Sequence, residues 1–182
     1  LTRTLDDIVN RSASASSVSA NSTQLVSDAK VYNAKYDTSK WSGELEALSI
    51  TSAGVSDIPA WKASEHIPLP GDSYVYTAGS RKIFTKSGGT AVPFLWNNLS
   101  GADQALLGNN PDVLGYIRGI RLKEQQNAGG TLRNRTNILG DIVHSSPFYA
   151  KETDTVFIGA NDGMLHAFNA INGTELFAYL PS

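Results

Sequence analysis

Hydrophobic spacing changes period along the chain and sorts it into segments. Leu1, Leu5, Ile8 and Val9 fall at i, i+4, i+7 and i+8 around Asp6 and Asp7, the spacing of a short amphipathic helix ending near Arg11. Seven of the sixteen residues from Ser12 to Ser27 are Ser, which suits either a flexible linker or polar edge strands. From Lys30 the period becomes two. Tyr32, Ala34 and Tyr36 share one face, and after a polar turn over 37–40, Trp41, Gly43, Leu45 and Ala47 share a face of the next strand. Ser42, Glu44 and Glu46 take the other side, so the pattern predicts a hairpin with one wet face. Trp41 is its expected anchor, worth about 2 to 3 kcal/mol if buried.

A loop is expected from Gly54 to Asp72, where Pro59, Pro68 and Pro70 forbid a central strand. Short strands are predicted over 82–86 and 91–96 around a Gly88-Gly89 turn. Ser100, three residues before Asp103, caps a helix to about Leu107. Asn110-Pro111 opens another with Val113, Ile117 and Ile120 on one stripe, weakened by Gly115 and Gly119 at about 1 kcal/mol each. A loop over 127–137 leads into a β region.

The last forty residues have the clearest pattern. Val156 to Gly159 and Met164 to Phe168 read as strands joined by the turn Asn161-Asp162-Gly163. A second turn, containing Asn172-Gly173, leads to a strand from Glu175 to Leu180, and the meander has room to begin near Ala150. Glycine makes positive φ cheap in both turns. A lone meander of this size leaves an apolar face and two open edges, so it needs partners. Val143, Val156, Ile158, Leu165 and Phe168 are expected in one layer, and the meander is expected to leave an unpaired edge or find a neighbouring molecule in a crystal.

Composition narrows the chemistry. With 15 Lys and Arg against 17 Asp and Glu, the chain lacks the basic excess that nucleic-acid binding draws on. No apolar run approaches the roughly 20 residues of a spanning helix. The chain has no Cys, which removes disulfides and thiolate chemistry. It opens on Leu1, with no secretion-signal pattern after it, and is expected to be a piece of something longer.

His66, His144 and His166 are too scattered for a zinc site. Asp141, His144 and Ser145 have the residue types of a hydrolase triad, but on an extended segment His144 points away from the other two. The basic cluster Arg118, Arg121, Lys123, Arg133 and Arg135 suits a solvated face or an acidic partner, with Arg133 or Arg135 able to pair with Asp141. Tyr32, Tyr36, Trp41, Trp61 and Trp96 suit core anchoring better than a sugar platform. No phosphate-binding glycine motif occurs. Asn21-Ser22-Thr23 and Asn134-Arg135-Thr136 match the glycosylation sequon.

Leu139-Gly140-Asp141-Ile142-Val143-His144-Ser145-Ser146-Pro147, followed by Val156-Phe157-Ile158-Gly159-Ala160-Asn161-Asp162-Gly163-Met164-Leu165-His166-Ala167-Phe168, closely resembles the start of the β-propeller region in PilC/PilY-type type IV pilus proteins. The resemblance continues upstream through Ser22-Thr23, Val31-Tyr32-Asn33-Ala34, Trp41-Ser42-Gly43-Glu44-Leu45, Arg81-Lys82-Ile83-Phe84-Thr85, Phe94-Leu95-Trp96 and Leu114-Gly115-Tyr116-Ile117-Arg118-Gly119, in that family's order. By itself the Asp-Gly-x-Leu-x-Ala-Phe meander also resembles a quinoprotein-type repeat.

The resemblance implies a mainly β fold with a few short helices, the N-terminal part of a propeller of antiparallel blades. Residues 1–11 would be a junction helix from an upstream domain, and 12–182 the beginning of the propeller, its other blades lying in missing sequence. It further implies an exported, non-enzymatic protein at the cell surface, outer membrane or pilus tip that supports pilus assembly, opposes retraction and contributes to adhesion. Minor pilins and host or surface receptors are the implied partners. No cofactor is expected here. The family's calcium loop is Asp-rich, and Asn161-Asp162-Gly163 offers one carboxylate to an ion that takes six to eight oxygens. The alternative is a quinoprotein-type enzyme or an outer-membrane assembly scaffold.

Overall fold

The computed structural model of the chain describes residues 15–20, 29–37, 40–67 and 81–181. The helix expected over 1–11, the sequon at Asn21 and the prolines at 68 and 70 lie outside them. Two sheets and a helical insert make up the rest. The first sheet is a meander in sequence order, β1 (Ala15–Ala20), β2 (Lys30–Asp37), β3 (Ser42–Thr51) and β4 (Gly54–Lys62), every pair antiparallel. For 15–20, then, the polar-edge-strand alternative holds over the linker.

The predicted loop from Gly54 is instead strand β4 as far as Lys62, followed by the short helix α1 (Ala63–His66). The proline rule survives, because β4 is an edge strand and its register shifts between Ala47 and Ile50 of β3, around the Leu48–Pro59 pair. Tyr32, Ala34, Leu45 and Ala47 are buried on the inner face as expected. The outer face is drier than its sequence suggests. Ser42 and Glu46 are buried, Lys35 reaches Glu46 at 2.6 Å, and Glu44 accepts hydrogen bonds from the backbone and hydroxyl of Ser64 in α1.

The second sheet is composite, in the order β6-β5-β10-β9-β8-β7. Its local parts follow the predicted pattern: the hairpin β5 (Ile83–Ser87) and β6 (Thr90–Pro93), and the antiparallel meander β7 (Phe148–Ala150), β8 (Thr155–Gly159), β9 (Leu165–Asn169) and β10 (Glu175–Leu180). No local pattern announces that β5 pairs parallel with β10, Ile83 opposite Ala178. The outer edge of β10 is therefore covered, and among the described strands the meander keeps an unpaired edge at β7.

Between the two halves of this sheet lie α2 (Gly101–Leu106), capped by Ser100 Oγ accepting from the Asp103 amide, and α3 (Pro111–Arg118), capped by Asn110. Gly119 sits at φ 109° as the left-handed C-cap of α3, so it terminates the helix rather than weakening it. The inward residues of α3 are Leu114, Gly115 and Arg118, one position round from the Val113 stripe, with Ile117 packed beside them.

One face of the composite sheet is covered twice. The first sheet packs over its meander, with Tyr32, Leu45, Trp61, Val156, Ile158 and Phe168 in one core. The helices pack over β5 and β10 through Ile83, Phe94, Leu114, Met164 and Ala178. No element among the described residues packs over the opposite face.

Candidate functional site

The motif that carries the family resemblance is the joint between the sheets. Leu139 and Ile142 are fully buried in the shared core, and between them Gly140 is a point of close backbone approach. A Cβ on Gly140 would stand 2.3 Å from the Asp162 amide nitrogen, and one on Gly43 of β3 would stand 2.1 Å from the Gly140 carbonyl oxygen. Three backbones, from β3, the Gly140 segment and the turn before β9, thus stack where only glycine fits. Gly43 donates its amide to the Leu139 carbonyl at 3.1 Å. Asn161 donates both to the Asp141 carbonyl, at 2.9 Å, and from its side chain to the Asp141 carboxylate, at 2.8 Å.

The predicted turn residues gather in two places. Asn161, Asp162 and Gly163 form the β8–β9 turn, Gly163 at φ 88°. Asp162 accepts the amides of Gly140 and Met164 at 3.2 and 3.1 Å. Asn172 and Gly173 close the β9–β10 turn, where the Asn172 side chain accepts from the Thr174 amide. Gly173 has φ 77°, and a Cβ there would meet the Trp61 ring at 2.6 Å. The indole nitrogen of Trp61 donates to the Ala170 carbonyl at 3.1 Å, so this turn is clamped under the first sheet.

Behind the Asp162 turn runs a buried row of charges. The His166 ring, fully buried on the covered face of β9, lies between two carboxylates: Nδ1 is 2.8 Å from Glu175 Oε1, and Nε2 is 3.1 Å from both Asp162 oxygens. Glu175 in turn accepts a two-pronged grip from Arg81, Nε to Oε2 at 2.6 Å and Nη2 to Oε1 at 2.7 Å. Arg81 also donates to the Arg118 carbonyl, while Arg118 donates to the carbonyls of Arg81 and Phe94. Burial works against the charge of each group, and the partners prevail. His166 is held above the ordinary histidine value by Asp162 and Glu175. Asp162 is held below the ordinary carboxylate value by His166. Glu175 is held down to about 2 by Arg81 and His166.

The other candidates separate. Asp141, His144 and Ser145 do not converge: Asp141 holds Asn161, Ser145 Oγ accepts the Gly159 amide at 3.0 Å, and His144 is exposed. His66 is exposed in α1, far in kind from buried His166. Among the described residues, no group of three His, Asp or Glu side chains is arranged to hold a metal ion. The basic cluster is largely consumed internally rather than presented as a face. Arg118 is buried, and Arg121 donates to the carbonyls of Arg135 and Thr136. Lys123 pairs with Asp112, and Arg133 donates to the Lys40 carbonyl. Arg135 pairs with buried Glu124 at 2.8 Å, not with Asp141, and stacks 3.6 Å over the Tyr116 ring. In the second sequon, the Asn134 side chain accepts the Gln126 amide.

Trp41 is a clear correction. It is 64% exposed at φ 50° in the β2–β3 turn, and the buried anchor is Trp61 at 4%, tilted against Tyr32 with ring centres 5.9 Å apart. Turn geometry turns Trp41 out of the alternation that β3 begins at Ser42. Tyr32 is also buried, whereas Tyr36 and Trp96 are half-buried. Leu165, expected in the buried layer with Val156, Ile158 and Phe168, lies on the opposite face, and Val143 is half-buried beside it. Arg81 and Glu175 were not singled out by their sequence context, since 94 positions separate them. The usable signal was His166, a polar residue in register with Phe168 on the covered face of a strand.

The open face carries aromatics in a row. Phe157, Phe177 and Phe84 meet edge to face at 6.3 and 6.4 Å, flanked by Phe148 at 65% exposure and Leu165 at 41%. Beside Leu165 an open groove of about 410 Å³ runs along Val143, Ser145, Gly159 and Pro181. No helix among the described residues is long and apolar enough to cross a membrane.

No sequence profile of a known family matches the chain, and no solved structure matches it. Individual proteins do. It is 30% identical over 192 residues to the type IV pilus biogenesis factor PilY1 homolog of Xylella fastidiosa, a match covering 90% of this chain and 15% of that protein. It is 31% and 29% identical to the type IV pilus biogenesis factor PilY1 of two strains of Pseudomonas aeruginosa, over 83% and 78% of the chain. The chain thus spans about 15% of the length of these curated relatives. With the motif's residues forming the joint of the fold and similarity running along most of its length, the chain belongs to the family of PilY1-type type IV pilus biogenesis factors.

Proposed function

We propose that this chain is the opening part of a β-propeller within a non-enzymatic, surface-associated factor of type IV pilus biogenesis, and that its open aromatic face receives the next sheet of the same polypeptide. The observation that carries this reading is the row Phe148, Phe157, Phe177 and Phe84, an apolar strip on a sheet whose other face is doubly covered. A contiguous exposed apolar face calls for a partner. The relatives have far more sequence from which such a partner sheet can come. In this reading the module acts through assembly, with minor pilins or the pilus tip as partners and adhesion and retraction control as its outputs. It binds no cofactor and holds no calcium site of its own.

Deleting the parent gene should reduce pilus number, twitching and surface attachment; unchanged values for all three would defeat the assignment. Within the protein, Phe84→Ser combined with Phe148→Ser should shift the melting of the 182-residue chain by at most about 0.5 kcal/mol. The same pair in the complete protein should lower its stability and pilus output; full tolerance there would remove the docking role of the face. Quinone with calcium should produce no spectral change in the complete protein, the opposite result favouring the quinoprotein reading. Micromolar calcium binding to this chain by calorimetry would contradict the absence of a site.

A further inference from the structure

The Asp162–His166–Glu175–Arg81 row is wired for one charge state. Glu175 receives Arg81 on both oxygens and Asp162 receives two backbone amides, so both carboxylates act as acceptors. A ring nitrogen of His166 faces each of them, at 2.8 and 3.1 Å, and a neutral imidazole can donate from only one nitrogen. Both contacts are hydrogen bonds only when the ring is an imidazolium. Asp162 and Glu175 then balance His166 and Arg81. Removing the histidine proton sets a ring-nitrogen lone pair against a carboxylate oxygen and leaves that contact repulsive.

We propose that His166 is a pH-dependent latch of the joint: as an imidazolium it ties the Asp162 turn, and through it the Gly140 segment and β3, to β10, and loss of its proton releases that tie. The path is continuous. His166 holds Asp162, Asp162 accepts the Gly140 amide, and the neighbouring Leu139 carbonyl accepts the amide of Gly43 in β3. The charged groups acting on His166 are Asp162 from the turn before β9 and Glu175 from β10. Behind Glu175 stands Arg81 from the segment before β5, and behind Arg81 the buried Arg118 of α3. The face of the ring is covered by Phe168, centres 5.9 Å apart.

The sign of the effect follows from the directions of the shifts. His166 is raised, so its contribution is whole below the ordinary histidine value of 6.5 and is lost as pH rises through its higher folded value. Asp162 and Glu175 are lowered, so theirs is whole above 4.5 and lost as pH falls through their depressed values. The latch is closed between these limits and opens on the alkaline side by loss of the histidine proton. It follows from this chain's own geometry, whatever the longer polypeptide assembles.

The test combines ¹⁵N-histidine NMR with amide exchange on the 182-residue chain. At pH 6 both ring nitrogens of His166 should report as protonated. Protection of the Gly140 amide, corrected for intrinsic exchange, should fall by up to about tenfold per pH unit between the ordinary histidine value of 6.5 and the ring's higher midpoint in the folded chain, and level off above that midpoint. His166→Gln should abolish that pH dependence. Should this variant not fold, Asp162→Asn serves, because removing one carboxylate should move the His166 midpoint to lower pH. A neutral His166 ring at pH 6, Gly140 protection that does not change across the titration, or an unmoved midpoint in Asp162→Asn would each overturn the latch.

Discussion

The two sheets reach the same core by different means. The first is a meander whose strands pair in sequence order, held inside by Tyr32, Leu45, Ala47 and Trp61. The second joins a hairpin to a meander across more than fifty intervening residues, with a parallel pairing at the seam and buried ions beside it. Burial of apolar surface is non-directional, so the first sheet tolerates a slip of detail as long as its inner face stays greasy. A buried charge row is directional, and loses most when one partner is removed. The comparison teaches that sequential strands are secured by pattern, whereas the composite sheet needs particular residues brought from far apart.

The largest effect should come from the first sheet's anchor. Trp61→Ala should cost about 3 to 5 kcal/mol, since it empties the space above Gly173 and removes the indole hydrogen bond to the Ala170 carbonyl. Denaturant unfolding measures this, and a loss under 1 kcal/mol would remove Trp61 as anchor. Next comes the joint itself: Gly140→Ala drives a methyl into the Asp162 backbone and should cost about 3 kcal/mol, the upper part of the overpacking range. A neutral outcome would mean that the sheets are not pinned there. Gly163→Val puts a β-branched side chain at φ 88° against Leu180 and should cost more than about 1 kcal/mol. An unchanged melting temperature would count against this turn. Trp41→Ala, on the exposed turn, should stay within about 0.5 kcal/mol. A large loss would reverse the contrast between the two tryptophans.

How much of this was legible depends on range. The β2–β3 hairpin, the two capped helices and the β8–β10 meander all appear in the residue pattern, because alternation, an N-cap and an Asn-Gly turn are settled within a few residues. The misreadings arise where a local rule met a distant contact or a break in period. Three prolines in one stretch argued for a loop from Gly54, yet an edge position leaves room for Pro59 in β4. The register shift between Glu175 and Phe177 lets both Glu175 and Ala178 face the core, which strict alternation does not foresee. Of the site, the two turns were visible as turns. The roles of Gly140 and Gly173 as close approaches were not, since each depends on what packs above it.

From its sequence alone the chain determines its short-range elements, its glycine turns and its membership of a pilus factor family, because those rest on residues near one another or on an ordered series of motifs. Tertiary structure alone decided that β5 completes the sheet beside β10, that Trp61 rather than Trp41 is the anchor, and that His166 lies between two carboxylates. The first two join positions tens of residues apart, and the third sets a ring against carboxylates four and nine positions away, on a turn and on the next strand. Such contacts form only when burial makes an apolar face or a charged group find its partner, and no local period encodes which partner that is.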